Sequence, residues 1–313
     1  MFRKTQKIIS SEELRELYPV EDRDFKVFRD NEIKDILGGK INKFLAIVGP
    51  CSLNCEDGTF DYLRQLKKIE ESVGDKILIV PRLFSAKPRT MGTGYRGLLH
   101  EKDGFIKVRK ILTGAINDFG LSGADELLYP FTYEYFCDAV SYYTIGARSS
   151  LNQEHRFFAS GIDVAVGIKN AINGDLRLLN GAVEIAKNPL NFYYEGQIIE
   201  AGGNPYAHAI LRGYQNNLGK HFNNMKGVED LSSFSVVLDL GHSNAKKDCS
   251  IIEKNYNKLL KLLHNKNICG IMFESYLKSG RSDRYIFGQS ITDECIGLDD
   301  TKRILLDLCE RLS

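Results

Sequence analysis

Short apolar segments alternate with amphipathic segments along most of the chain, beginning at Phe44. Eight of the apolar segments predict strands, and they lie at residues 44–48, 77–84, 126–129, 144–148, 163–168, 207–212, 234–240 and 269–274. Most of them are apolar at successive positions instead of alternating with polar residues, which is typical of parallel strands covered by helices. The pattern therefore predicts an α/β fold.

The segments between the predicted strands carry apolar residues at the spacing of one helix face, for example at residues 62–69, 182–186 and 252–263. Eight strand–helix units with a closing helix at 299–312 predict a (β/α)8 TIM barrel. A doubly wound parallel sheet is the alternative, because a difference of one or two strands would change the choice. Residues 189–205 are longer than an ordinary connection, and a β-hairpin is one interpretation of them.

Residues 1–40 precede this alternation and are predicted to form an N-terminal extension to a catalytic barrel at 41–313. Ser10 and Glu13 have the spacing of a capping box, which predicts a helix reaching Leu17. A second helical pattern at 31–37 ends at two glycines. The segment is too short for a core of its own, so we expect an arm used in oligomer assembly.

Composition and charge exclude several classes of protein. The formal net charge of +1 over 313 residues gives no general reason to expect a nucleic acid or an anionic membrane as partner. No apolar run approaches the roughly 18 residues of a membrane span, and the first ten residues lack the apolar core of a signal peptide. Seven cysteines without CxxC spacing argue against a secreted disulfide framework. We therefore expect a cytoplasmic enzyme.

Positive charge is concentrated in residues 81–97, which we call the basic loop. Its cations are Arg82, Lys87, Arg89 and Arg96, and it contains no carboxylate. Prolines and glycines restrict the loop and allow close approach of its backbone. Arginine and lysine bind phosphate and carboxylate oxygens. Taken alone, the loop is also compatible with a solvated basic surface. The choice between that interpretation and an anion-binding site depends on the rest of the chain.

Side chains that can bind ions or transfer protons follow most of the predicted strands. These residues are Cys51, Arg82, Arg148, Lys169, Arg212, His242 and Glu274, while Glu126 begins a predicted strand and Asp293 lies beyond the last one. The active sites of TIM barrels are assembled from the C-terminal ends of the strands and the loops that follow. The sequence therefore predicts one site at that end of the barrel.

The motifs that contain these residues resemble those of the type I 3-deoxy-D-arabino-heptulosonate 7-phosphate (DAHP) synthases in order and spacing. They are GPCS at 49–52, KPRT at 87–90, GAR at 146–148, GIKN at 167–170, ILRG at 210–213, DLGHSN at 239–244, FES at 273–275 and SITDECIGLDDT at 290–301. The resemblance implies a metal-dependent condensation of phosphoenolpyruvate with erythrose 4-phosphate and water, the first step of the shikimate pathway. A homo-oligomer, either a dimer or a tetramer, is also expected.

The resemblance also implies roles for individual residues. Arg82 and Lys169 would bind the carboxylate of phosphoenolpyruvate, Arg148 and Arg212 its phosphate, and Arg89 and Thr90 the phosphate of the aldose. Cys51, His242, Glu274 and Asp293 would be the metal ligands. This mixed set of donors suits Mn, Fe, Co or Zn and not Mg or Ca. Our hypothesis for the mechanism adds that Lys87 donates a proton near the developing alkoxide and that Glu126, flanked by cations, helps to orient the attacking water.

The basic loop departs from the family pattern, which leaves alternatives open. Ala86 stands where the family usually has Glu, Ser85 replaces an aromatic residue, and Tyr95-Arg96 replaces a tryptophan–lysine pair. One alternative is a 3-deoxy-octulosonate 8-phosphate synthase, which uses a pentose phosphate, although the KPRT motif favours the four-carbon aldose. The other is a catalytically idle paralogue that senses a ligand, for which Ala86 is the supporting feature.

Overall fold

The computed structural model describes residues 7–89, 91–231, 235–246 and 248–312. Its strands are β1 Phe44–Gly49, β2 Ile77–Pro81, β3 Gly123–Glu126, β4 Val140–Ile145, β5 Ala165–Lys169, β6 Leu190–Tyr194, β7 Gln197–Ala201, β8 Ala207–Leu211, β9 Tyr214–Gln215, β10 His221–Phe222, β11 Val236–Asp239 and β12 Ile268–Glu274. Its α-helices are α1 Ser11–Leu17, α2 Arg23–Leu37, α3 Glu56–Val73, α4 Gly104–Asn117, α5 Tyr133–Phe136, α6 Gln153–Gly161, α7 Leu176–Lys187, α8 Ile252–Leu262 and α9 Leu298–Arg311. Within this part of the chain, no helix is both long and apolar enough to cross a bilayer.

Eight of the strands form one parallel sheet in the order β2-β1-β12-β11-β8-β5-β4-β3. The two ends of this order meet just beyond β2, where Arg82 forms a parallel bridge with Ala124 of β3. The backbone N–H of Leu83 donates to the Ala124 carbonyl at 2.8 Å. The sheet therefore closes, which confirms the (β/α)8 barrel and excludes the open doubly wound sheet.

Two of the predicted strands lie a few residues too late in the sequence. β3 ends at Glu126 instead of beginning there, and β4 ends at Ile145, before the GAR motif. The residues of β3, GADE, include no β-branched or aromatic side chain. The strand was therefore predicted at the apolar residues that follow it. The correction places Glu126 at the C-terminal end of its strand, as with most of the other candidate residues.

The N-terminal segment packs onto the barrel. Ser10 and Glu13 form both hydrogen bonds of the predicted capping box, and α1 ends at Leu17 as expected. However, α2 begins at Arg23, eight residues before the predicted helix at 31–37, and its N-cap Asp22 accepts a hydrogen bond from the Phe25 N–H at 2.9 Å. Charged side chains in its first two turns conceal the helical pattern, because several of them are buried in ion pairs.

Helix α2 lies across the N-terminal end of the barrel. Its Ile33, Ile36 and Leu37 belong to a buried apolar cluster with residues of the barrel interior, which include Leu45 of β1 and Met272 of β12. A larger apolar cluster lies between the strands and the surrounding helices. The N-terminal end is thus sealed by apolar side chains, and access to the barrel interior is left to the opposite end.

Residues 189–205 contain a hairpin, which confirms that interpretation. β6 and β7 pair in antiparallel orientation across a turn at Glu195 and Gly196, whose φ angles are 48° and 76°. Two successive positive φ angles are typical of a type I′ turn, which matches the twist of the flanking strands.

Candidate active site

Three of the four predicted metal ligands meet at the C-terminal end of the barrel. The ligand atoms of Cys51, Glu274 and Asp293 all lie within 4.8 Å of one another. Cys51 follows β1, and Glu274 ends β12 in register with Gly49 of β1. The Asp293 backbone N–H donates to the Cys51 sulfur at 3.4 Å, which brings the later loop back to the first strand. We call these three residues the ligand cluster.

His242 contacts the ligand cluster through one of its members. It follows β11 with a φ of 47°, a left-handed conformation that is uncommon for a residue with a side chain. Its Nε2 lies 3.4 Å from Glu274 Oε1, and its Nδ1 lies 2.8 Å from Asp239 Oδ2. A carboxylate beside the second ring nitrogen is the usual way of orienting a metal-binding histidine.

The charge and hydrogen bonding of this region fit a bound cation. Glu274 Oε1 is buried and has no hydrogen-bond partner among the described residues. Cationic side chains surround it at longer range, with Arg82 at 3.6 Å and Lys87 at 3.8 Å. A buried carboxylate oxygen without a close partner carries a large desolvation penalty, which a metal ion would relieve. Sulfur, imidazole and carboxylate donors together suit a transition ion of borderline softness.

Lys87 places its ammonium group beside the ligand cluster. Its Nζ is 2.5 Å from the Cys51 sulfur and 2.9 Å from Asp293 Oδ2. Burial by itself would lower the pKa of Lys87, but the neighbouring Cys51, Glu274 and Asp293 raise that pKa overall. Burial also raises the pKa of the Cys51 thiol to about 12, with Glu274 adding to the shift, so a bound metal would have to displace the thiol proton.

Buried cations line the neighbouring strand ends. The Arg82 guanidinium stacks 3.8 Å from the centre of the Phe84 ring and donates to the Pro50 carbonyl. Lys169 ends β5, and its Nζ donates to Asp239 Oδ2 at 3.0 Å. Burial lowers the pKa of Lys169, and Asp239 opposes that shift. The side chains of both cations are 5% exposed or less, which holds their charges away from water.

Arg212, Arg148 and Glu126 belong to the same group of charges. Arg212 follows β8 and donates to the hydroxyl of Ser243. Burial lowers the pKa of Arg212, the nearby positive charge of Arg148 lowers it further, and Glu126 opposes both effects. Glu126 ends β3, Arg148 follows β4 and Arg212 follows β8, so all three residues lie at the C-terminal end of the barrel. Arg148 is the exposed member of the group.

The carboxylate of Glu126 passes directly over Gly146. A Cβ atom added at Gly146 would lie 2.1 Å from Glu126 Oε1, far inside van der Waals contact. Only glycine leaves room for the carboxylate at this position, which is the first residue of the GAR motif. The glycine of that motif is therefore required for a steric reason.

The basic loop returns to its own base. The Lys87 N–H donates to the Arg96 carbonyl at 2.8 Å, and Arg89 Nε donates to the Tyr95 carbonyl at 2.7 Å. Gly92, Gly94 and Gly97 all have positive φ angles, which lets the loop turn tightly. Thr90, predicted to bind the aldose phosphate, lies outside the described residues.

Three polar residues at the mouth were missed from the sequence. Asp239 joins Lys169 to His242, Ser243 accepts from Arg212, and Asp125 accepts hydrogen bonds from Ser85. Asp239 had a usable signal, because an acid that ends an apolar strand three residues before a histidine is a candidate orienting group. Asp125 had none, since its partner lies in a different strand–loop unit.

Comparison with known proteins gives one consistent result. A family model described as the DAHP synthetase I family matches residues 17–306. A phospho-2-dehydro-3-deoxyheptonate aldolase of Haemophilus influenzae is 32% identical, over 98% of this chain and 92% of its own length. The Phe-sensitive phospho-2-dehydro-3-deoxyheptonate aldolase of Escherichia coli K12 is 32% identical, over 88% of this chain and 85% of its own length.

A solved structure gives the same result for the fold. The phospho-2-dehydro-3-deoxyheptonate aldolase of Francisella tularensis SCHU S4 superposes with a TM-score of 0.91 and is 29% identical. The match covers 100% of this chain and 98% of that one. The likeness therefore extends over the N-terminal segment as well as the barrel.

Proposed function

The chain belongs to the DAHP synthetase I family. We propose that three groups of residues at the C-terminal end of its barrel carry out that family's reaction: one binds substrate, one binds a metal ion and one handles protons. The reaction condenses phosphoenolpyruvate with D-erythrose 4-phosphate and water to give DAHP and phosphate, which makes the chain a transferase. The observation that carries the proposal is that the buried cations and the ligand cluster share one rim, where Arg82 and Lys87 both face Glu274.

The cations at the strand ends bind phosphoenolpyruvate. Arg82 and Lys169 pair with its carboxylate, and Arg148 and Arg212 pair with its phosphate. A multiply charged substrate held away from water needs several cations fixed in place, and the hydrogen bonds of Arg82, Lys169 and Arg212 fix theirs at strand ends. Arg89 and Thr90 of the basic loop bind the phosphate of the aldose.

The ligand cluster and His242 hold a divalent metal ion, of which Mn, Fe, Co and Zn fit the donor set. The family is metal-dependent, and when bound the ion supplies Lewis-acid polarisation of a carbonyl oxygen. Asp239 keeps the His242 ring in its orientation by facing Nδ1, which leaves Nε2 directed at the cluster.

Lys87 and Glu126 move and hold protons. C3 of phosphoenolpyruvate forms the new bond to the aldehyde carbon, and the aldehyde oxygen takes a proton from the Lys87 ammonium. Water held by Glu126 adds at C2 and gives one proton to the Glu126 carboxylate, which replaces the proton lost by Lys87. The new C2 hydroxyl gives its proton to the departing phosphate as the C2–O bond to phosphate breaks and the C2 carbonyl forms. Arg148 and Arg212 stabilise the leaving phosphate. The raised pKa of Lys87 supports its part, because the group must carry a proton before it can donate one.

A phosphate-release assay tests the activity. Purified protein is given phosphoenolpyruvate with erythrose 4-phosphate or arabinose 5-phosphate, with chelator and after addition of Mn. We expect phosphate release that requires the four-carbon sugar and the metal. Preference for the pentose phosphate would support the octulosonate synthase instead. Silence with both sugars, together with retained binding of phosphoenolpyruvate in calorimetry, would support the idle paralogue.

The N-terminal segment is proposed to join copies of the chain in a cytoplasmic homo-oligomer. Leu17 of α1 and Val27 and Phe28 of α2 support the proposal, because they are 60%, 57% and 61% exposed on neighbouring helices. Light scattering of the parent and of Phe28→Asp checks it. A lower mass in the variant is expected, and a parent that is monomeric at micromolar concentration would contradict it.

A further inference from the structure

A buried carboxylate lies between the two residues assigned to proton transfer. Asp125 is the second-last residue of β3 and is 2% exposed. Its Oδ1 accepts the Ser85 N–H at 2.8 Å and the Glu126 N–H at 2.7 Å. Its Oδ2 accepts the Ser85 hydroxyl at 2.8 Å. One side chain therefore ties the base of the basic loop to the end of β3.

The partners of Asp125 are adjacent to the proposed proton donor and water-orienting residue. Ser85 stands two residues before Lys87, and Glu126 immediately follows Asp125. On the other side, Leu99 N–H donates to the Ser85 carbonyl at 3.1 Å and Lys87 N–H donates to Arg96 at 2.8 Å. The first of these bonds joins Ser85 to the residues just after the basic loop, and the second stays within the loop. The side chain of Asp125 adds a link from Ser85 to the end of β3.

We propose that Asp125 is a positioning residue, which sets the distance between Lys87 and Glu126 by binding Ser85 and the Glu126 backbone at the same time. The inference rests on the proposed function of those two residues. Ala86 is buried and contributes no polar group to the segment, so the tie comes from the neighbouring strand and not from within the loop. A loop without this tie would let the ammonium group of Lys87 shift relative to Glu126.

The energetics of burial favour a functional reason for this carboxylate. Burial raises the pKa of Asp125 to about 7, although the hydrogen bonds from Ser85 and Glu126 counteract the shift. Apolar residues of matching size are often as stable as buried charged groups. An acid in such a place, with three donors directed at it from Ser85 and Glu126, is better explained by the geometry that it imposes.

The test separates hydrogen bonding by Asp125 from its charge. Asp125→Ala removes all three bonds, and we expect kcat to fall about 10- to 100-fold with little change in KM, since small misplacements of reacting groups have effects of that order. Asp125→Asn should keep most of kcat, because its Oδ1 still accepts both N–H groups and its amide can donate to Ser85. Ser85→Ala should lie between them.

Asn204 offers a matched control at the other end of the barrel. It is also 2% exposed, donates to the Val164 carbonyl at 2.9 Å and accepts the Tyr206 N–H at 2.9 Å. Asn204→Ala should lose stability without a change in kcat. If Asn204→Ala lowered kcat as much as Asp125→Ala, the effect would be one of general destabilisation and the inference would be wrong.

A double-variant cycle distinguishes failure of the inference from failure of the proposed function. With Lys87→Ala already present, adding Asp125→Ala should reduce kcat little further, because the group that it positions is gone. Equal effects of Asp125→Ala in both backgrounds would overturn the inference and leave the role of Lys87 intact. If Lys87→Ala alone kept full kcat, the role of Lys87 would fail and the inference with it. Should Asp125→Ala not fold, Ser85→Ala in the same cycle decides.

Discussion

The two ends of the barrel are built from the same eight strands but are lined by different kinds of side chain. At the N-terminal end, α2 inserts Ile33, Ile36 and Leu37 against apolar strand residues. At the C-terminal end, the strands are followed by buried charged groups, such as Arg82 and Glu274, which lie 3.6 Å apart. The sealed end contributes burial of apolar surface, while the charged end carries desolvation penalties that pairing only partly offsets.

The difference teaches that stability and chemistry are separated along the strand direction. A substitution at the sealed end should change the free energy of unfolding and leave turnover alone. A substitution at the charged end should change turnover or metal binding by a larger factor than it changes stability. The following expectations test this separation, beginning with the largest effect.

Lys87→Ala should reduce kcat about 10²- to 10⁴-fold, the usual range for loss of a proton-transfer group. Substrate KM should change far less, because the buried cations remain. Steady-state kinetics with both substrates measures this. Lys40→Ala is the matched control, since Lys40 is 65% exposed near the sealed end and pairs with Asp35. A change confined to KM would show that Lys87 binds substrate without taking part in the chemistry.

Cys51→Ala should weaken metal binding by at least about 100-fold, because even the partners of ligands are worth roughly 10- to 100-fold. Metal content after dialysis against a weak chelator, measured by mass spectrometry, reports it without an activity assay. Cys269→Ala is the control, since Cys269 is on β12 and its sulfur donates to the Val236 carbonyl at 3.5 Å. Equal retention of metal by the two variants would exclude Cys51 as a ligand.

Ile33→Ala should lower the free energy of unfolding by about 2–4 kcal/mol, the range for removing a fully buried aliphatic side chain. Ile33 is 0% exposed beneath the barrel. Urea unfolding measures the change, and kcat should equal that of the parent. Leu178→Ala is the control, since Leu178 is 41% exposed on α7 and its loss should change stability by no more than about 0.5 kcal/mol. A fall in kcat with Ile33→Ala would mean that the two ends are coupled.

Stability should respond to pH in opposite senses at the two ends. The raised pKa of Asp125, about 7, means that the folded state binds the extra proton between about pH 4 and 7, so this residue makes stability fall as pH rises through that window. Burial lowers the pKa of His208 to about 4, so the unfolded state binds the extra proton and stability rises with pH from about 4 to 6.5.

Single variants should separate the contributions of Asp125 and His208 to the pH dependence of stability. Relative to the parent, stability should rise more steeply with pH in Asp125→Asn and less steeply in His208→Gln, each difference being up to about 1.4 kcal/mol per pH unit. Urea unfolding between pH 4.5 and 7.5, at roughly half-unit steps, measures both. Identical pH profiles for the parent and both variants would contradict the assigned shifts.

The strand pattern predicted the barrel, and the positions at the strand ends together with the family resemblance predicted which charged side chains lie at its mouth. Closure of a parallel sheet brings every strand end to one rim, so residues such as Cys51 and Glu274, far apart in the sequence, could be placed together without a local motif. The start of α2 and the limits of β3 were missed because buried ion pairs and a strand poor in β-formers do not produce a periodic apolar signal. The Ser85–Asp125 pair depends on which strand closes the barrel beside β2.

The arrangement of charged side chains at the C-terminal end of the barrel depends on the missing side chain of Gly146. The Glu126 carboxylate occupies the volume that a methyl group would fill in any other amino acid. Adding that one carbon would push the carboxylate toward the guanidinium groups or away from the mouth altogether, without removing a single charged residue. The arrangement of charge in this protein is therefore encoded partly by a position that has no side chain of its own.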